Sequence, residues 1–190
     1  MNVEEISQLI KARRSVFPDM YEDREISDDT IKLILENANW APTHKKTEPW
    51  RFKIFKKGDS LQRLSDYLSG YYKSNTPEEK FSEIKYKKMQ AKPLKSACVI
   101  ALCMHVDPNS GLPEWEEVAA VSCAVQNMWL TCTALGIGSY WGSPKAMLEA
   151  NDFLNLGEHE KCLGIFFMGY QKPIELKSTR GDVEDKIEWL

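Results

Sequence analysis

The 190-residue sequence lacks the features that mark a metal site, a disulfide scaffold or a membrane protein. Its five cysteines form no CxxC pair, and its three histidines are not spaced with them as zinc ligands would be. No apolar run approaches the roughly 18 residues that a membrane-spanning helix needs, and no secretory signal is visible at the start. We therefore predict no metal ligands, no membrane partner, and a cytoplasmic location in which the thiols stay buried and reduced.

Positive charge is not in excess either, because 25 basic residues are opposed by 28 acidic ones and the net charge is −3. A nucleic-acid-binding domain usually carries a basic surface, so we expect no nucleic acid partner. Any anionic ligand must then be held by local basic groups. The sequence also lacks a P-loop, a GxGxxG fingerprint, an HExxH pair and a Ser-His-Asp order, so nothing supports an NTPase, a two-site dehydrogenase, a metalloprotease or a hydrolase.

What the sequence does have is the composition of an ordinary globular domain, with 43% hydrophobic and 28% charged residues. Its length predicts a single domain over residues 1–190 that is large enough to bury a core. Helical and strand patterns alternate without a βαβ period or an internal repeat. We therefore predict an α+β fold in which one sheet packs against helices.

Hydrophobic periodicity and capping residues predict the individual elements. Helical spacing predicts a first helix over residues 2–13 and a second helix that begins after an N-cap at Ser27. Residues 71–93 are predicted to be a mobile, partly helical surface segment, a candidate lid. Short helices are predicted to begin near residue 60 and to cover 144–150. The predicted strands are 50–55, 99–104, 137–141 and 162–168.

The longest predicted helix spans residues 114–135 and ends at Gly136, a residue type common just after helices. Its apolar arc is unusually wide, and a helix that is apolar nearly all round is either central in a large core or shared with a second subunit. In a chain of this size we favour the shared core of a homodimer. The residues predicted on its buried side are Trp115, Val118, Ala119, Ser122, Val125, Gln126, Trp129 and Leu130.

A polar loop between two prolines, residues 40–49, is the most informative segment of the chain. The prolines fix φ and bias the residues before them away from helix, so we expect the loop to be stiff. Binding residues often lie on loops with rigid supports. The same pattern also describes a solvated connector between a helix and a strand.

Arg13, Arg14 and Ser15 end the first helix, where two cations also complement the helix dipole. Together with the loop, this triplet resembles the nitroreductase-like FMN-dependent NAD(P)H oxidoreductases, in their short, insertion-poor branch. The resemblance continues in order through the long helix, a glycine-containing turn before Ser139 and a late basic residue at Arg180. It implies a nitroreductase-like fold, with a central, mostly antiparallel sheet packed between helices, in an intertwined homodimer with shared active sites.

The resemblance also implies which residues bind FMN. The phosphate would be held by Arg13, Arg14, Ser15 and Arg180, because guanidinium groups and hydroxyls suit a dianion. Two further groups of residues would contact the flavin. Each contains a tryptophan, Trp40 or Trp141, that could instead be a buried aromatic residue of the core. The first group is the loop of the opposite subunit, through Trp40, Pro42, Thr43, His44 and Lys46. The second group is the strand segment of Ser139, Tyr140, Trp141, Gly142 and Ser143.

One position departs from the pattern of the family. Many relatives have a basic residue two positions after the serine, near N1 and O2 of the flavin, but this chain has Phe17. A cation near those atoms tunes the potential of the flavin. We therefore expect Lys45 or Lys46, reaching across the dimer, to take over this role.

The implied activity is transfer of hydride from NADH or NADPH to small electrophiles, such as nitro compounds or quinones, in a ping-pong cycle. The cofactor carries the chemistry, so no side chain is predicted to be catalytic. Two alternatives stay open. One is a flavin-binding protein with little NAD(P)H turnover, acting in storage, sensing or other flavin chemistry. The other is a helical interaction module without a cofactor, whose basic loop is merely solvated.

Overall fold

The computed structural model of the protein describes residues 2–173 and 179–190. In this part of the chain four strands form one sheet in the order β1-β2-β4-β3, and every neighbouring pair is antiparallel. Each predicted strand is present and is longer by one or two residues at an end. The α+β class and the antiparallel central sheet are thereby confirmed. The strands are β1 (Trp50–Lys56), β2 (Cys98–His105), β3 (Ile137–Gly142) and β4 (Glu160–Tyr170).

Seven α-helices accompany the sheet within the described residues, and none of them is long and apolar enough to cross a membrane. Ser27 caps the second helix, because its Oγ accepts from the backbone N–H of Thr30 at 3.2 Å. Gly136 follows the longest helix with a φ of 68°, as predicted. The helices are α1 (Val3–Ala12), α2 (Asp28–Asn39), α3 (Asp59–Ser74), α4 (Glu83–Leu94), α5 (Glu114–Ala134), α6 (Lys145–Leu148) and α7 (Asn151–Leu154).

Two apolar cores lie on opposite faces of the sheet. Strand β2 contributes to both, because successive side chains of a strand point to opposite faces. Ile100 and Leu102 belong to the core that includes α2 and α5, whereas Val99 and Ala101 belong to the core that includes α3, α6 and α7. All four side chains are fully buried. The sheet is therefore packed between helices, as the resemblance implies.

The buried side of α5 is not the predicted one. The face that packs on the sheet includes Val121, Ala124 and Met128, and of the predicted residues only Val125 is fully buried. Trp115 is 67% exposed. Because α5 is apolar nearly all round, its periodicity could not separate the face that meets the sheet from the outer face. Of the other predicted residues, Ala119 and Gln126 are exposed, and Val118, Ser122, Trp129 and Leu130 are half-buried.

The prediction of five buried cysteines is wrong for one of them. Cys123 is exposed on the outer face of α5, whereas the other four are buried in the two cores. Burial raises the pKa of both Cys98 and Cys132 to about 12, so these thiols are inert at neutral pH. All five thiols are free, and the described residues contain no group of His, Cys, Asp or Glu side chains that could hold a metal ion.

Tyr21 fixes the segment that follows α1 against the sheet. Its hydroxyl donates to Val16 O at 2.8 Å and lies 3.3 Å from Phe167 O, and its ring lies over Gly169. The backbone N–H of Val16 in turn donates to Ser139 O at 3.0 Å. The residues that follow α1 therefore run beside β3.

We predict that Gly169→Ala destabilises this arrangement. An added Cβ would lie 2.5 Å from Tyr21 Cδ2, and overpacking of this kind typically costs about 1–3 kcal/mol. Chemical denaturation should show the lower free energy of unfolding. Gly70→Ala is the matched control: it lies within α3 with nothing within 4 Å of the added Cβ, so it should raise stability by about 0.5–1 kcal/mol. Equal stabilities for the two variants would contradict the contact between Tyr21 and Gly169.

Candidate functional site

A cavity of about 690 Å³ lies at the C-terminal end of α1. We call it the arginine cavity, because Arg13, Arg14 and Arg180 line it together with Ser15 and Trp129. Three distant parts of the chain thus meet at one place. They bring together Arg13, Arg14, Ser15 and Arg180, the four residues that were predicted to hold a phosphate. Three guanidinium groups and a hydroxyl form a donor set suited to a phosphate or carboxylate, because guanidinium groups bind such anions through paired hydrogen bonds.

Trp129 of α5 organises the arginine cavity. Its indole N–H lies 3.2 Å from Arg14 O and 3.1 Å from Ser139 O, so one donor connects the end of α1 to β3. The guanidinium carbon of Arg13 lies 4.6 Å from the centre of the Trp129 ring, a cation–π distance. Nothing in the sequence distinguishes Trp129 from the other apolar residues of this helix, so its part in the site could not be predicted.

The electrostatics of the arginine cavity favour an anion. Burial lowers the pKa of Arg13 from its ordinary value, and the neighbouring charges of Arg180 and Arg14 lower it further. Like charges held this close repel one another, and a bound anion would offset that repulsion. Arg14 Nη1 also donates to Lys11 O at 2.5 Å and to Arg13 O at 2.9 Å. Arg14 therefore stabilises the C-terminal end of α1, as expected for a cation at a helix end, and it also lines the arginine cavity.

The predicted residues of β3 and its C-terminal end divide between two faces. Tyr140, Gly142 and Ser143 line a second cavity of about 320 Å³ together with Lys92 of α4. Trp141 points to the opposite face, where it packs against the core that includes α5 and donates its indole N–H to a β4 carbonyl at 3.1 Å. Of its two alternatives, the side chain of Trp141 is therefore a core aromatic.

Ser139 lies between the arginine cavity and the second cavity. Its backbone forms a parallel bridge with Ser15, and its side chain is buried. Ser139 Oγ makes no hydrogen bond of normal geometry to any residue that the structure describes, although it lies close to the Cys132 thiol. Buried hydroxyls usually have a partner, and the Cys132 thiol in the core that includes α5 is the neighbour that Ser139 Oγ has.

The loop between the prolines is anchored to the N-terminal end of α5. Thr47 Oγ1 donates to the buried Glu117 carboxylate at 2.8 Å. His44 Nδ1 lies 2.6 Å from Glu116 Oε2, and Lys45 Nζ donates to a backbone carbonyl before α5 at 2.6 Å. In the single chain the polar contact of His44 is therefore with a carboxylate of its own chain, and its predicted contact with a flavin stays a prediction.

This anchoring separates the loop from the arginine cavity. Glu117 and Trp129 belong to the same helix, and their separation of twelve residues corresponds to about 18 Å along its axis. Within one chain the predicted site residues therefore form two groups. The first group contains Arg13, Arg14, Ser15, Arg180 and the β3 segment, and the second contains Trp40, Pro42, Thr43, His44 and Lys46.

The loop is held in a strained backbone conformation. Lys45, Lys46 and Glu48 have φ values of 52°, 56° and 44°, in the left-handed region that costs a non-glycine residue about 1–2 kcal/mol. Side-chain hydrogen bonds offset the strain, because Thr43 Oγ1 lies 3.0 Å from Thr47 Oγ1 and accepts from the backbone N–H of Glu48 at 3.2 Å. Strain of this kind often lies at functional sites.

The loop presents its side chains to the surface. Trp40 is 80% exposed, and its indole N–H donates to Glu36 at 3.0 Å. The alternative interpretation of Trp40 as a buried aromatic at the helix end is therefore wrong for the single chain. Pro42, His44 and Lys46 are exposed as well. The loop therefore leaves an indole ring, an imidazole and an ammonium group accessible at the surface of the single chain.

The sequence pattern of the nitroreductase family matches residues 10–170, which contain the triplet, the loop, α5 and the whole sheet. The chain belongs to the nitroreductase family. Among its relatives is a protein of Archaeoglobus fulgidus, provisionally named an NADH dehydrogenase or NAD(P)H nitroreductase. The two are 28% identical over 175 residues, which cover 90% of this chain and 87% of the relative.

Solved nitroreductase structures share the fold. A nitroreductase-like family protein from Bacillus cereus is 26% identical, with a TM-score of 0.84 over 100% of this chain and 98% of that one. A nitroreductase with bound FMN from Bacteroides fragilis NCTC 9343 is 22% identical, with a TM-score of 0.72 over 100% of both chains. The nitroreductase fold inferred from the sequence is thereby confirmed.

Proposed function

We propose that residues 1–190 form one FMN-binding domain of a cytoplasmic homodimer that transfers hydride from NADH or NADPH to small electrophiles, such as nitro compounds or quinones. The observation that carries this proposal is the arginine cavity, because its three guanidinium groups and the Ser15 hydroxyl fit a phosphate dianion. The similarity to an FMN-bound nitroreductase and to a relative named for NAD(P)H supports the choice of cofactor and reductant.

We propose that the flavin ring binds in the second cavity, and the position and apolar character of this cavity support the proposal. The 139–142 stretch of β3 extends about 10 Å away from the arginine cavity, a length that suits the separation of phosphate and ring in FMN. The cavity walls are largely apolar, with the buried Tyr140 stacked on Phe167 at 4.7 Å. Gly142 has no side chain and so allows the ring to approach the backbone closely. Bound FMN would supply the hydride chemistry, while the protein orients the reactants and excludes water.

The protein residues bind and position the reactants, and we assign no catalytic side chain. NAD(P)H and the electron acceptor would use the same open side of the second cavity in turn, which is a ping-pong cycle. The arginine cavity holds the phosphate through Arg13, Arg14, Ser15 and Arg180. The backbone from Ser139 to Ser143 supports the ring.

A second subunit completes the site in this proposal. The apolar side of α1 is uncovered in the single chain, where Val3 is 80%, Ile6 42% and Ile10 50% exposed, and the outer face of α5 exposes Trp115. Apolar surfaces of this kind are typical of protein–protein interfaces. If two α5 helices pack antiparallel about a two-fold axis, the loop of one subunit lies beside the arginine cavity of its partner. The proposed contacts from the partner are Trp40, Pro42, Thr43, His44 and Lys46.

We predict that the purified protein is yellow and contains FMN rather than FAD, and that Arg14→Ala releases the flavin. Losing a charge-assisted hydrogen bond typically costs about 1.5–3 kcal/mol, so the FMN dissociation constant should rise at least roughly tenfold in a fluorescence titration. Arg63→Ala, an exposed position on α3, is the matched control and should retain FMN. Full retention by Arg13→Ala, Arg14→Ala and Arg180→Ala alike would place the phosphate elsewhere.

We also predict that NADH or NADPH bleaches the bound flavin within a single turnover and that a quinone or nitro compound restores its colour. Stopped-flow absorbance near the flavin maximum measures both half-reactions separately, which a ping-pong cycle requires. A flavin-binding protein with little turnover would stay oxidised under anaerobic NAD(P)H. A colourless protein would instead favour the interaction module without a cofactor.

We further predict a dimer at micromolar concentration, with an interface above the standard size of about 1,600 Å². Ile6→Asp should shift sedimentation towards the monomer, because Ile6 is exposed in the single chain and a carboxylate is costly in an apolar interface. The same variant should lose FMN affinity, since each site would use both subunits. Wild-type protein at the same concentration is the reference. A monomeric wild type would remove the argument for a shared site.

A further inference from the structure

Phe17 occupies the position, two residues after Ser15, where the family pattern has a cation that tunes the flavin, and it supplies an aromatic ring instead. Its ring centre lies 4.8 Å from that of Tyr140, which belongs to the second cavity. Phe17 is half-exposed and contacts the second cavity through Tyr140 without lining it. Position 17 therefore brings no cation to the proposed flavin ring, and the carboxylate of Asp19 in the same segment is paired with Lys95.

Lys92 of α4 brings a charge to this place from another part of the fold. Its side chain lines the second cavity with Tyr140 and Gly142, and it also lines an adjoining cavity of about 540 Å³ with Phe17. Among the described residues that line these two cavities, Lys92 alone is common to both. Its ammonium nitrogen lies 5.9 Å from the centre of the Tyr140 ring. Lys92 is therefore directed at the same part of β3 as Phe17.

The neighbouring lysines in and just after α4 line the adjoining cavity of about 540 Å³ but not the second cavity. Lys95 pairs with Asp19 at 2.5 Å, and Lys87 lies 3.6 Å from a glutamate one helical turn away. Lys88 lines the adjoining cavity and forms no part of the second cavity. In the described part of the chain Lys92 forms no ion pair within 4 Å, so its charge is not neutralised by a carboxylate in direct contact.

The lysines of the loop are less well placed within this chain. Lys45 donates to a backbone carbonyl at 2.6 Å near the start of α5, at the end of that helix opposite to the arginine cavity. Lys46 could reach the ring only from the partner subunit. Lys92 belongs to the same chain as the arginine cavity and needs no partner to approach β3.

We propose that Lys92 is the cation that stabilises reduced FMN in this protein, in place of the basic residue that Phe17 replaces. This inference rests on the proposed FMN site. Reduction places negative charge on the N1 and O2 edge of the flavin, and a nearby ammonium group stabilises that charge and raises the reduction potential. Lys92 thus acts as a tuning residue, and α4 is the element that carries it to the ring.

Lys92→Met tests this role, because methionine keeps much of the length of lysine and removes the charge. Lys92 is exposed, so the fold should survive the change. FMN should still bind, since the phosphate is held in the arginine cavity. The equilibrium between reduced and oxidised flavin should shift about tenfold towards the oxidised form, which corresponds to a potential about 30 mV lower for a two-electron couple. Lys92→Arg should restore most of the wild-type potential.

Lys88→Met is the matched control for Lys92→Met. This variant removes a charge from the same helix but not from the second cavity, so the reduction potential of its flavin should equal that of the wild type. An unchanged potential in Lys92→Met, or a drop in Lys46→Met alone, would overturn the inference and leave the proposed function standing. A wild-type protein that binds no FMN would overturn both. Potentials are measured by anaerobic reduction against a reference dye.

Discussion

The indole N–H of Trp129 is the interaction on which the site depends. It lies within hydrogen-bond distance of one carbonyl at the end of α1 and one in β3, so a single donor on α5 connects three elements. The Ser15–Ser139 bridge and the Tyr21 hydroxyl hold the same segment from either side. These contacts hold the backbone that follows α1 beside β3, and this fixes the positions from which Arg13 and Arg14 reach into the arginine cavity.

Helix α5 also decides how the site is divided. One of its faces is buried against the sheet, the loop is anchored near its N-terminal end, and the arginine cavity lies towards its C-terminal half. A helix with apolar residues on its outer face too is suited to pack against a copy of itself. In the proposed dimer, the separation of about 18 Å within one chain is what brings the loop of one subunit to the cavity of the other.

The tuning charge proposed for the flavin comes from α4 and not from the segment that follows α1. Electrostatic stabilisation depends on where a charge lies and how well solvent screens it, and not on which part of the chain carries it. Lys92 approaches Tyr140 from α4, and it also lines the adjoining cavity together with Phe17. The proposed tuning residue therefore lies about 75 positions away in sequence from the position that it replaces.

Local patterns in the sequence determined much of this protein. The positions of the four strands, the Ser27 cap and the glycine after α5 follow from hydrophobic patterns and capping residues close in the chain, and the arginine triplet with its loop was sufficient to indicate the family. Tertiary structure alone decided which face of α5 meets the sheet, that Trp129 organises the arginine cavity, and that Trp141 turns towards the core. It also decided that the loop lies far from that cavity and that Lys92 reaches β3. These outcomes depend on contacts between residues distant in sequence, which neither periodicity nor propensity encodes.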